Sequence, residues 1–419
     1  MAEEKRKGFL SKLGPGLVTG AADDDPSGIG TYSQVGAQFG YGLSWTLLFT
    51  LPFMTVIQEV AAQIGSVTGR GIAANLRRHY PKPLLWSAVT LLLGANVINL
   101  GADLSAMGAS LHLLVGGHVI FYTLGFGLLC IFLEIFLSYR RYAAVLKFTT
   151  ISLFAYVAVV FTVHVPWGQA LKALVIPHVE WTAAFATGFV AILGTTISPY
   201  LFFWQAAQEI EEERRNHSKP LYVSPKEAGP EMERIRQDTL IGMVFSNVVS
   251  IFIVFAAAAT LNVHGITNIA TAGEAAQALE PVAGRFAFLL FALGIIGTGL
   301  LAVPVLAGSA AYAVSEMMGR PAGLDCKPRE AKLFYATIAA TTLGGASLQY
   351  FGVNPVQALY WSAVVNGVLA APLMALMMLV VTNPRAMGHL TLSRTGAILG
   401  WAATAVMAVA TGLFFVSIF

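Results

Sequence analysis

Charge is what this sequence has least of. Asp, Glu, Lys and Arg make up 11% of its 419 residues, against about a quarter in a soluble globular chain. With 56% hydrophobic residues and a mean hydropathy of +0.69, the shortage excludes a soluble domain and leaves a polytopic membrane protein. Cysteine is nearly absent too. Cys130 falls in an apolar run and Cys326 in a polar connection, so no structural disulfide is expected. The net charge of +3 is too small to argue for nucleic acid as a partner. The opening "MAEEKRKGFLSKLG" lacks the compact apolar core of a cleaved signal segment and is expected to stay in the cytoplasm.

Apolar stretches long enough to cross about 30 Å of hydrocarbon as helices fall at 14–37, 43–66, 83–112, 118–137, 141–163, 183–207, 237–262, 284–317, 332–350, 355–381 and 393–418. Eleven spans are therefore expected. One set of connections carries Arg70, Arg77, Arg78 and Lys82; Arg140, Arg141 and Lys147; the 208–236 stretch; Arg320, Lys327, Arg329 and Lys332; and Arg385 and Arg394. The other set carries only Lys172 and Arg285. The positive-inside rule then places the N-terminus inside and the C-terminus outside. The most polar connection, "QEIEEERRNHSKPLYVSPKEAGPEMERIRQD" at 208–238, reads as a cytoplasmic loop with solvated charges.

Fixed cations are missing from the interior. No Lys or Arg lies in the first, third or sixth span, and none of the eight histidines falls at a span centre. Two of these spans carry Pro/Gly interruptions beside polar residues, "DDDPSGIGTYS" at 23–33 and "GTTISPYLFFWQ" at 194–205. Inside hydrocarbon a broken helix is tolerated only where it is buried in protein or lines a cavity. A matched pair of breaks, five spans apart, points to a transporter built from inverted repeats with its site at the midplane. An aspartate at a helix centre costs on the order of 3 kcal/mol, so Asp23, Asp24 and Asp25 must face water, protein or a cation. Carboxylates without fixed cations, beside the free carbonyls of half-helix ends, predict a cation site. Consecutive aspartates cannot face one point unless the helix unwinds. Asp25 is therefore the expected ligand, with Asp24 behind it or in the vestibule and Asp23 without an assigned role.

These segments resemble the NRAMP family of divalent-metal transporters. "GPGLVTGAADDDPSGIGTYSQVGAQFGYGLSW" is similar to the family's first span and following loop, "GADLSAMG" at 101–108 to its third-span segment, and "VVTNPRAMG" at 380–388 to the end of its tenth span. The resemblance covers nearly the whole chain. It implies an all-α polytopic membrane protein with a leucine-transporter-like fold in a single transport domain, 1–419. That fold has two inverted five-helix repeats, about 14–163 and 183–381, plus an eleventh helix at about 393–418. It also implies a metal site made by Asp25, the carbonyls of Ala22 and Thr195, and the positions Gly28, Ser198 and Tyr200, with Asp24 beside them. The family's Asp-Pro-Gly-Asn reads Asp25-Pro26-Ser27-Gly28 here, and its Met-Pro-His reads Ser198-Pro199-Tyr200.

The departures from that pattern set the expected cargo. A hydroxyl in place of a thioether and the loss of the Asn side chain make the site harder and, by expectation, roomier, which suits partly hydrated Mg²⁺. This resembles the family's magnesium-transporting branch, with Mn²⁺ also accepted. The family's proton-route histidine is replaced by Tyr200, and its third-span Glu by Ala106 after the retained Asp103. Import by alternating access is then expected without obligatory proton coupling, driven by the ion gradient and by about 4.6 kcal/mol per divalent ion at 100 mV. The alternatives are a proton-coupled Mn²⁺/Fe²⁺ symporter of the ordinary family type and an amino-acid carrier of the same fold. An intramembrane aspartyl hydrolase would leave the paired breaks unexplained, so no enzyme and no cofactor are expected. The metal is substrate.

Asp103, Asn99, Glu209 and Asn366 are expected along the pathway, although interhelical hydrogen bonding serves Asn96, Asn99 and Asn366 equally. Glu59, Glu134 and Glu316 lie toward inner ends of spans, as interfacial or gate-closing groups. The expected partners are divalent metal ions and the lipid bilayer. A monomer is compatible with the sequence, and richness in Gly and Ala suggests a bacterial inner membrane.

Overall fold

The computed structural model describes residues 15–136 and 153–418. Among these residues every regular element is helical. In chain order the α-helices are α1 (Pro15–Asp23), α2 (Pro26–Phe39), α3 (Trp45–Thr68), α4 (Ile72–His79), α5 (Lys82–Val115), α6 (Val119–Phe136), α7 (Phe154–Thr162), α8 (Trp167–Val175), α9 (Ala183–Thr196), α10 (Pro199–Arg215), α11 (Ala228–Ala257), α12 (Ala272–Gln277), α13 (Glu280–Ala283), α14 (Ala287–Met318), α15 (Lys332–Ser347), α16 (Pro355–Val381), α17 (Pro384–Met387) and α18 (Arg394–Ile418). Local chemistry sets several starts. Proline at the first position opens α2, α10 and α16, where its missing N–H costs nothing. The side chains of Asp25, Thr182 and Asn354 cap α2, α9 and α16.

Eight helical stretches among the described residues, one of them α9 and α10 taken together, are long and apolar enough to cross a membrane, so this is an integral membrane protein. The remaining expected spans are special cases. The first is divided into α1 of 9 residues and α2 of 14, neither of them long enough alone. The ninth is α15, 16 residues continued by a tight turn at Leu348–Phe351. Much of the fifth, with Arg140, Arg141 and Lys147, lies outside the described residues, which resume before α7. The 208–236 stretch departs from the expected solvated loop: α10 continues to Arg215, and Glu209 and Glu211 are buried at 1% and 2% exposure.

Burial separates centre from rim. The α9–α10 span is 83% buried, whereas α6 is 22% and α18 33% buried, so the broken sixth span is central and the other two face lipid with side chains such as Phe121, Phe132, Ile398 and Val416. The basic connections meet on one face. Leu221 and Tyr222 N–H groups donate to Ser66 and Val67 carbonyls, Gln63 Nε2 donates to Leu390 O, and Arg215 pairs with Asp325 at 2.6 Å. On the opposite face Trp45 Nε1 donates to His178 O, and Gln34 receives the Ile269 N–H.

The broken spans are held by backbone contact. A Cβ added at Gly194 of α9 would lie 2.0 Å from Ala363 O and 2.3 Å from Gly367 N of α16, so only glycine allows this approach. Gly20 of α1 meets Gly242 of α11 in the same way, at 2.3 Å from its carbonyl oxygen. Gly194→Ala is expected to destabilise the fold by roughly 1–3 kcal/mol, the usual cost of overpacking, read as a lower thermal midpoint in detergent. Gly168→Ala, with nothing within 4 Å of the added carbon, should leave that midpoint unchanged.

Candidate functional site

The first break opens between Asp23 and Pro26, and its geometry centres on one carboxylate. Asp25 is in an extended conformation (φ −71°, ψ 171°) and caps α2. Its Oδ1 accepts from Gly28 N at 2.6 Å and from Ser27 Oγ at 2.9 Å. Its Oδ2 accepts from Asn99 Nδ2 of the third span at 3.1 Å and from the Tyr200 hydroxyl of the sixth at 3.2 Å. The same hydroxyl lies 3.0 Å from Ala22 O, so one phenolic proton serves two acceptors. Asn366 Nδ2 of the tenth span donates to Asn99 Oδ1 at 3.4 Å. Asp25 is 2% exposed, and these four bonds fix the orientation of its carboxyl group.

The second break supplies the facing wall. Ser198 precedes α10, but its hydroxyl turns back to donate to Gly194 O and Thr195 O, at 3.0 and 2.9 Å. The Thr195 carbonyl is thus engaged by Ser198, while its hydroxyl points at the first break. A Cβ at Gly28 would meet Thr195 Oγ1 at 3.1 Å, Asp23 O at 3.2 Å and Asp25 Oδ1 at 3.4 Å. The first break is thus close to the second at Gly28, where an added carbon would already be in tight contact with Thr195 and backbone.

Asp24 and Asp23 turn away from Asp25 toward α11. Ser246 Oγ lies 2.6 Å from Asp23 Oδ2 and 3.2 Å from Asp24 Oδ1, and the other oxygen of each has no partner among the described residues. Ser250, one turn on, donates to Ser246 O. Sequence reasoning missed both serines, although their i, i+4 spacing in "SNVVS" marks one polar face in an apolar helix. Asp103 is fully buried, close to the Asp25 carboxylate and to the Ser27 backbone N–H. Asn96 donates to Leu306 O and Ser309 Oγ at 2.9 and 2.7 Å, an interhelical role.

Glu209 belongs to a separate network on the basic face. Its Oε2 pairs with Arg234 Nη2 at 2.5 Å and its Oε1 accepts from Gln205 Nε2 at 2.8 Å. Gln205 Oε1 accepts from Thr19 of α1, and Asp238, within 3.9 Å of Arg234, accepts from Gly16 N at 2.7 Å. Both α1 and α10 are thereby tied to α11 between Asp25 and the basic face.

Among the described residues no three His, Cys, Asp or Glu side chains are grouped to hold a metal. A cation at Asp25 would rely on a single carboxylate with carbonyl, amide and hydroxyl oxygens, a donor set of the hard type. Two discontinuous helices meeting at a buried carboxylate in an all-helical membrane protein define the broken-helix class of membrane transporters.

Comparison with known proteins gives the particular family. The model of the family described as natural resistance-associated macrophage protein-like matches residues 16–417, and the chain belongs to that Nramp family. A Klebsiella pneumoniae protein named divalent metal cation transporter MntH is 26% identical over 414 residues, covering 96% of this chain and 93% of its own. A Yersinia pestis protein of the same name is 29% identical over 306 residues, 70% of each chain. Among solved structures, the Eremococcus coleocola manganese transporter superposes with a TM-score of 0.73 at 17% identity, over 99% of this chain and 88% of that one. Mhp1, a nucleobase-cation-symport-1 family transporter, superposes with a TM-score of 0.56 at 13% identity, over 96% and 92%. These likenesses establish the leucine-transporter-like fold.

The network around Arg234 can be tested apart from any cargo. Arg234→Gln leaves Glu209 buried without its cation, at a cost of about 1–3 kcal/mol, and should loosen α1 from α10. In a chain with Cys130→Ser, Cys326→Ser and Thr19→Cys, maleimide labelling is expected to be slow and to become several-fold faster when Arg234→Gln is added. Equal rates would remove the network's role as a closure.

Proposed function

We propose that this protein moves divalent metal cations across the membrane by alternating access, with Asp25 as the anionic ligand. The observation that carries the reading is the convergence on one buried carboxylate of the first, third and sixth spans, two of them broken beside it. The names of the relatives, divalent metal cation transporters, support the same class of cargo. In this reading Ala22 O and Asp25 Oδ2 form the oxygen edge the ion meets, and the Tyr200 phenol that bridges them must yield to it. The two breaks belong to two repeats, about 14–163 and 183–381. The basic face is cytoplasmic, placing the N-terminus inside and the C-terminus outside a bacterial inner membrane.

Within that class we favour Mg²⁺, with Mn²⁺ as a further substrate. The argument is hardness of the donors: the position after Ile197 is Ser198, not a thioether, and the groups hydrogen-bonded to Asp25 are amide, hydroxyl and backbone. Extra room at Gly28 is not part of the argument, since an added Cβ there would lie 3.1 Å from Thr195 Oγ1. Absence of histidine from the site supports uptake without obligatory proton coupling. Proton-coupled Mn²⁺ transport is the second reading. It is favoured by the solved relative named as a manganese transporter and by Asp103, a buried carboxylate beside the site that is available to carry a proton.

Flux into proteoliposomes at a set membrane potential, with Mg²⁺ and pH indicators inside, separates the two. The expected result is Mg²⁺ entry without acidification, abolished by Asp25→Ala. Mn²⁺ entry with acidification and no Mg²⁺ entry would establish the second reading. Ser198→Met should move preference toward Mn²⁺ or Cd²⁺, and an unchanged selectivity ratio would remove Ser198 from the ion's surroundings.

A further inference from the structure

The basic face carries a concavity that the transport site does not use. It lies where α3 and α14 end. Gly69 (φ 60°) and Gly319 (φ 65°) terminate these helices in the left-handed conformation, and Arg70 and Arg320 follow them directly. The short helix α4 lies alongside, with Arg77 and Arg78 in its last turn. Together these four arginines line a cavity of about 580 Å³, within the size range of small-molecule sites. A smaller cavity of about 180 Å³ shares Arg70 and Arg320 with it and extends toward Arg214.

Its charge is unbalanced. The one carboxylate in the lining, Glu316, is spent on the start of α4: its Oε2 accepts from Ala74 N at 3.1 Å, and a Cβ at Gly71 would fall 2.0 Å from its Oε1. Elsewhere on this face Arg214 donates to Ala322 O at 3.4 Å, Arg215 pairs with Glu211 and Asp325, and Arg234 pairs with Glu209 and Glu231. By contrast, the side chains of Arg70, Arg77, Arg78 and Arg320 make no ion pair or hydrogen bond among the described residues, and all four residues are exposed. The excess reaches a neighbour. The imidazole of His79 is pushed below its usual range by burial and by the charges of Arg78, Arg70 and Arg385. Gathering four guanidinium groups from three segments around one cavity costs electrostatic repulsion, which an anion would relieve.

We propose that this cavity binds an anion bearing two linked phosphate groups. Guanidinium forks match phosphate oxygens two at a time, and four of them against one engaged carboxylate leave positive charge for more than a single phosphate. A soluble diphosphate compound and a two-phosphate lipid headgroup present the same chemistry. Either would bridge the ends of the second and eighth spans with α4.

The test uses the full-length protein in neutral detergent, titrated calorimetrically with inorganic pyrophosphate and, separately, mixed with cardiolipin for native mass spectrometry. Pyrophosphate binding that weakens about tenfold in Arg70→Gln/Arg320→Gln, the loss of at least one charge-assisted contact, assigns the site to a soluble anion. Cardiolipin retention lost in that variant, with no pyrophosphate binding, assigns it to a lipid headgroup. Arg78→Gln, an exposed single change, should weaken the same probe about threefold and keeps the test open should the double variant fold poorly. Binding of neither probe, or equal binding by native protein and variants, overturns the proposal.

Discussion

The structure turns on a carboxylate that has to be satisfied inside hydrocarbon. Asp25 meets this constraint with the start of α2, receiving the Gly28 N–H at 2.6 Å and the Ser27 hydroxyl at 2.9 Å, and a helix can offer those donors only where it begins. The break is therefore a requirement of the aspartate as much as a consequence of Pro26. The surroundings follow from it: a Cβ at Gly28 would lie 3.1 Å from Thr195 Oγ1 of the opposing break, so the two breaks pack closely there. Asn99, itself bonded to Asn366, and Tyr200 complete the shell on Oδ2. Three spans thus converge on one residue, and the tenth reaches it through Asn99.

Helix α1 links that point to the basic face. It is tied to α11 at both ends, through Gly16 and Asp238 at one and through Asp23, Asp24 and Ser246 at the other. Between them Gly20 and Gly242 bring the two backbones together. The Glu209–Arg234 pair adds α10 to the same assembly. Any opening toward the basic face must then either move α1 and α11 together or break these bonds, and Asp23, Asp24, Glu209, Asp238 and Ser246 are buried where water cannot readily replace their partners. Acidic groups lie at the centre and unpaired arginines at the mouth, so a cation and a polyanion would find different places on one molecule.

Much of this was legible in the sequence, and the reasons for the rest are specific. Both breaks could be read because a polar residue that favours helix starts precedes each proline; Pro52, Pro304 and Pro372 lack that signal and sit inside continuous helices. Asp25, Ala22, Tyr200, Asn99 and Asn366 are brought together, whereas the Ser198 hydroxyl faces its own helix and Asp24 faces α11. The closeness of Thr195 to Gly28 was invisible because it depends on how two distant breaks approach each other. Burial of Glu209 and Glu211 was masked by their charge run, since the helix that carries them enters it without any break in composition.

The central claim is that the Asp25 carboxylate receives the cation and that the Tyr200 phenol holds its place. Calorimetric titration of the purified protein with Mg²⁺ and with Mn²⁺ tests this directly, comparing the native chain with Asp25→Asn and Tyr200→Phe. The expected result is loss of measurable binding in Asp25→Asn, with binding in Tyr200→Phe at least as tight as in the native chain, because a competing hydrogen bond has been removed. Binding to Asp25→Asn at native affinity, for either ion, would contradict the account.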